Sequence, residues 1–180
     1  MPDGFDLSDA LGAAPPFFVR KVDRKGHWET PERILENVFR VDTDGTISVY
    51  RVEGSSDLMR IAVALNANRV ASNPAGASLT EDIFLVAIRE NEFMGIELQQ
   101  IEGLTDCIFA NRRHFGARFP HSETEAYDRR ARLVNALLAA GRRPKKLSKG
   151  RLAPALEEAK RDGCHAVVED SEKCACEEAE

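Results

Sequence analysis

The run Ile83 to Ile88 (IFLVAI) constrains this chain more than any other stretch, because it is apolar without a break. A strand with one wet face alternates apolar and polar residues. An unbroken run of this length therefore reads as a strand buried on both faces. A second stretch, Met94 to Ile101, alternates less cleanly and is bounded by Gly95 and Gly103. The polar link Arg89 to Phe93 is short enough to fold the two into an antiparallel hairpin. The remaining apolar sequence is expected to pack on this pair or to extend its sheet.

Other elements follow from local signals. Phe17 to Val22 (FFVRKV) reads as a short strand. Thr30-Pro31-Glu32 starts a short helix, PERILEN, with a capping hydroxyl, a proline at the first helical position and an acid at the positive end of the dipole. Asp44-Gly45, between β-branched and aromatic residues, signals a hairpin with strands at 38–42 and 46–53. Its aspartates do not make an EF-hand. With Gly45 at loop position 6, positions 1 and 12 fall on Arg40 and Arg51, cations where Ca²⁺ needs carboxylates. Gly54-Ser55-Ser56-Asp57 caps a helix to about Ala67 whose buried face carries Leu58, Ile61, Ala62 and Leu65. Residues 68–80 read as a loop. NPAGAS within it lacks the lysine and the strand–helix context of a phosphate-binding loop.

The second half reads as helical. A helix is expected from Thr105 through Phe115, then a linker over 116–121. Ser122 and Glu125 form a capping box that opens the longest helix, which runs to Ala140 and stops at Gly141. Its apolar stripe is Tyr127, Ala131, Val134 and Leu138. RRPKKLSKGR (142–151) is a basic connector, Pro154 sits in the first turn of a last helix ending at Gly163, and 165–168 reads as an edge strand. The fold class is thus α+β. It has a mostly antiparallel sheet of four to five strands in two hairpins, with helices on one face and a helical C-terminal region. One domain is expected over 17–168, its basic helical part at 112–163, after a leader at 1–16 and before an acidic tail at 169–180.

Charge is strongly segregated. Residues 1–111 hold 10 basic and 18 acidic residues, a net of −8; residues 112–151 hold 12 and 3, a net of +9; residues 152–180 hold 3 and 9, a net of −6. The basic block comprises Arg112, Arg113, Arg118, Arg142, Arg143, Lys145, Lys146, Lys149 and Arg151, with Arg129, Arg130 and Arg132 on the long helix. Such clustering is the footprint of a surface that neutralises phosphates without reading sequence. His114, Phe115 and Phe119 interleave with its first part and suit base stacking. The arginines on the helix have a plainer role as well, since Glu125–Arg129 and Asp128–Arg132 are i,i+4 pairs. An acidic protein surface, the chain's own acidic tail or the acidic half of a second copy would equally answer the block.

One further constellation carries chemistry. Asp82 begins the apolar strand, and Glu97-Leu98-Gln99 lies on the strand expected beside it. This arrangement resembles the core of the PD-(D/E)xK nuclease superfamily. The resemblance implies a divalent-metal site, with Mg²⁺ held by Asp82 and Glu97 and Gln99 in the lysine position, and phosphodiester cleavage as the activity. Gln99 and the absence of a proline before Asp82 depart from the pattern. The same residues read equally as the solvated face of an ordinary hairpin, and that reading is favoured.

The four histidines offer no triad, and the sequence has no G-x-S-x-G or G-x-G-x-x-G. Cys107, Cys164, Cys174 and Cys176 do not form a secreted disulfide framework, so reduced thiols and a cytoplasmic location are expected. Cys164, His165, Cys174 and Cys176 match no common zinc spacing. No stretch reaches the roughly 18 apolar residues of a membrane span, and the acidic start reads as no signal peptide. The expectation is a small binding or accessory protein with a basic surface for nucleic acid or an acidic protein. It needs no cofactor, and self-association is open. The alternative is the Mg²⁺-dependent nuclease.

Overall fold

Phe17–Val22 (β1) and Ile83–Ile88 (β3) pair antiparallel from Phe18 opposite Ile88 to Val22 opposite Phe84. Around them the computed structural model builds one six-stranded sheet; it describes residues 15–72, 81–101 and 112–161. The other strands are Thr46–Val52 (β2), Glu97–Gln100 (β4), His114–Arg118 (β5) and Lys145–Leu147 (β6). Their order is β4-β5-β2-β1-β3-β6, and every neighbouring pair is antiparallel. The helices are Pro31–Asn37 (α1), Ser55–Ser72 (α2), Glu123–Ala139 (α3) and Lys149–Arg161 (α4). The class is α+β, with more strands than the four to five expected.

Helices cover both faces of the sheet, not one. Successive strand residues point to opposite faces, and β1 divides accordingly. Phe17 and Val19 join Tyr50, Val52, Leu85 and Ala87 under Leu58 and Ile61 of α2 and Leu152 and Leu156 of α4. Phe18 joins Val49, Val86 and Ile88 against Ile34 and Leu35 of α1 and Leu133, Val134 and Leu137 of α3. The reason lies in the opening run: IFLVAI is apolar on both faces, so each needs its own cover. Phe18 meets Phe93 and Phe115 edge-on at centroid distances of 5.5 Å, a packing mode worth about 0.5–1.5 kcal/mol beyond area burial.

Neither expected hairpin forms. The Asp44-Gly45 turn closes as read, with Asp42 N–H donating to Thr46 O at 2.8 Å and Gly45 at φ 80°. Its upstream arm is no strand, because Val38 and Phe39 donate back to Ile34 O and bury themselves in the core. β2 pairs instead with β1 and β5. The link after β3 makes a 3-10 turn, Glu90–Phe93, followed by Met94 and Gly95 both at positive φ. This link carries the chain to the far edge, so β4 pairs with β5 and is separated from β3 by three strands.

Three other boundaries move. His114 to Arg118 is strand, not helix end and linker. Gly116 fits closely there, since a Cβ would come within 3.2 Å of the Thr46 and Ile101 side chains, which would have to shift slightly to admit it. Part of the basic connector is β6, and α4 begins at Lys149, so Pro154 sits inside the helix. α2 continues to Ser72. By contrast α1 starts as read, with Thr30 Oγ1 accepting from Arg33 N–H at 3.3 Å. α3 follows its Ser122 cap and ends before Gly141 at φ 70°. Its buried stripe is Ala126, Leu133, Val134 and Leu137, while Tyr127 is exposed. The leader to residue 14, the four cysteines, the 165–168 strand and the acidic tail lie outside the described residues.

Candidate polyanion-binding edge

The sheet order splits the basic block. Arg118 lies on β5 and Arg112 and Arg113 just before it, whereas Arg142 to Arg151 run through β6 into α4. β5 and β6 are four strand steps apart, about 19 Å at the usual spacing. The nine cations therefore do not make one surface.

Several of them hold the fold together. Arg113 reaches Glu53 Oε2 at 2.6 Å and Asp57 Oδ2 at 3.6 Å, while Asp57 Oδ2 accepts Glu53 N–H at 2.9 Å. The Arg113 guanidinium holds the Glu53 carboxyl below its ordinary range, first through the hydrogen bond and then through charge. Arg142 is more deeply engaged. Its side chain is 6% exposed and meets Glu92, 11% exposed, with Nε donating at 3.0 Å and the far guanidinium nitrogen at 2.9 Å. Glu92 in turn accepts Arg89 N–H at 2.6 Å and closes the turn after β3. This pair fastens the end of α3 to the link between β3 and β4, and no local sequence signal joins residues 50 apart. Arg143 donates to Arg142 O at 2.8 Å. On α3, Arg129 pairs with Glu125, and Arg130 donates to Ala126 O and Phe39 O.

Beyond the buried Arg142, the cations of the run face solvent, Arg143 included. Lys145, Lys146, Lys149 and Arg151 are all exposed, on the edge strand and the first turn of α4. Asp82 sits against this strip. Its carboxylate takes Lys146 Nζ at 2.5 Å and the Lys149 backbone N–H at 2.9 Å, so it also caps α4. Those two bonds, Lys146 first, hold the Asp82 carboxyl below its ordinary range. Lys145 and Lys149 carry no ion pair among the described residues. Four exposed cations within seven positions, Lys146 among them paired with Asp82, give a compact positive edge suited to phosphate or carboxylate oxygens. Lysines on an outermost strand, with Pro144 just before it, also discourage pairing with another sheet, which is the plainer role of the same residues.

The structure does not bring Asp82, Glu97 and Gln99 together. Asp82 immediately precedes β3, beside β6, and Glu97 and Gln99 are on β4 at the opposite edge, four strand steps or about 19 Å away. Glu97 faces Arg118 and Gln99 faces Gly116 on β5. The three do not fit a shared Mg²⁺, and among the described residues no group of three or more His, Cys, Asp or Glu gathers to hold a metal. His114, read as a base-stacking residue, is buried and stacks on Tyr50 at 4.8 Å; Phe115 and Phe119 pack in the core.

Sequence reading passed over Arg20. It lies on central β1, donating to Val38 O at 3.0 Å and Ser48 O at 2.7 Å. Burial lowers its pKa, against the pull of Asp42 and Asp23. No helix among the described residues is long and apolar enough to cross a membrane. No family model matches the chain, and no curated protein or solved structure matches it either.

Proposed function

We propose that this chain is a binding or accessory protein of the cytoplasm that offers its β6–α4 edge to a polyanion, with nucleic acid as the partner. The observation that carries the reading is the exposed strip Lys145, Lys146, Lys149 and Arg151, left outward while Arg113 and Arg142 serve the interior. Binding of this kind is sequence-independent, falls with salt and requires no catalytic group. The nuclease reading gains no support, because Asp82 lies four strand steps from Glu97 and Gln99.

The test is titration of fluorescently labelled DNA and RNA at several salt concentrations without divalent metal. Binding to the wild-type chain, weakened in the Lys145→Glu/Lys149→Glu double variant, is the expected result. Absence of binding at low salt would reject nucleic acid, and equal binding by the folded variant would reject this edge as its site. Binding to a poly-glutamate peptide in its place would turn the edge toward an acidic protein.

A further inference from the structure

The other outermost strand, β4, is built differently, and it complements itself. Its sequence ELQQ has no lysine or proline, and its side chains are exposed or half-buried. Met94, one of the two large apolar side chains exposed among the described residues at 51%, lies three positions before it. Ile101 N–H donates to His114 O at 3.2 Å, in the same register that sets Glu97 opposite Arg118 and Gln99 opposite Gly116. In an antiparallel ladder, alternate residues bond to one neighbour. Residues 97, 99 and 101 thus direct their backbone groups to β5. Leu98 and Gln100 direct theirs away from it, toward an edge that no strand among the described residues occupies.

The geometry points to a second copy of this chain as the occupant of that edge, paired β4 to β4 about a twofold axis through Gln99. Leu98 then stands opposite Gln100 of the second copy, and both outward N–H and C=O groups of each find partners. Gln99 faces its own counterpart, where two carboxamides hydrogen-bond to each other. Glu97 faces Ile101 of the second copy, so no like charges meet. The same operation on β6 sets Lys145 or Lys146 against lysines, which is repulsive. Isologous pairing of this kind is the commonest symmetry of soluble oligomers. It would join two sheets into one of twelve strands and leave a basic edge at each end. The inference goes beyond the proposed function and does not depend on it.

Sedimentation equilibrium across a wide protein concentration range tests it. The expected result is a rise from 20.0 kDa toward twice that mass, little affected by salt. Gln99→Lys places like charges on the axis, and Leu98→Pro removes an outward N–H without touching the β5 bonds. Each is expected to remain folded by circular dichroism and to stay at 20.0 kDa. In the wild type, amide exchange at Leu98 and Gln100 should slow as concentration rises. A monomer at every concentration, a dimer that survives both variants, or a dimer with unprotected amides at 98 and 100 overturns the inference.

Discussion

Arg142 and Lys149 stand seven residues apart in one basic run and serve opposite ends. Arg142 is enclosed with Glu92 and secures α3 to the turn after β3; Lys149 lies exposed at the start of α4. Between them the chain passes Pro144 and becomes an outermost strand. The difference shows that a run of cations in sequence is not a surface. The partner that neutralises Arg142 comes from 50 residues upstream, while among the described residues nothing comparable reaches Lys145. Location in the sheet, not charge density along the chain, decides which cations remain for a ligand.

The largest effect that would break this division is at Arg142. Arg142→Met leaves Glu92 buried without its cation, and a loss of about 3–5 kcal/mol in urea denaturation is expected. Pairing it with Glu92→Leu should restore most of that loss, since apolar replacements of buried pairs are often neutral. Lys149→Ala, by contrast, should change stability by no more than about 0.5 kcal/mol. Equal costs at the two positions would erase the distinction.

Binding should invert the ranking. Lys145→Glu with Lys149→Glu should lower nucleic-acid affinity by roughly tenfold per lysine near 0.1 M salt, by counterion release, with the melting curve unchanged. Asp82 sharpens the picture further. Asp82→Asn frees Lys146, and binding should tighten by no more than about one phosphate contact, 0.9 in the salt slope. Its folded pKa is depressed, so its stabilising contribution is complete above the ordinary aspartate value and is lost as pH falls through the folded value. The asparagine variant should lack that part of the acid transition in a stability–pH curve. The smallest effect belongs to Arg129, whose exposed pair with Glu125 lies on α3. Arg129→Ala should cost about 0.3–0.5 kcal/mol and leave binding unchanged.

Local signals were legible in the sequence. Thr30-Pro31, the Ser122 cap, Gly141 and the strand at 17–22 all appear where read, because each depends on a few adjacent residues. Pairing was not legible. The 83–88 run reads as doubly buried, yet its neighbours are β1 and β6, since Met94 and Gly95 redirect the chain away from a hairpin. β5 was hidden because His114, although buried against Tyr50, follows two arginines and resembles a helix end. The candidate site suffered the same limit. Lys145, Lys149 and Arg151 were found by charge alone, but nothing local separates them from Arg113 and Arg142, whose acids arrive from distant strands and turns.

The most direct measurement is the salt dependence of nucleic-acid binding for the wild-type chain and for Lys145→Ala/Lys149→Ala, compared at equal temperature and pH. The account predicts linear plots of log K against log salt, with the variant's slope shallower by about 1.4 to 1.8, two phosphate contacts. Identical slopes, with the variant folded, would contradict it and place the polyanion elsewhere on the molecule.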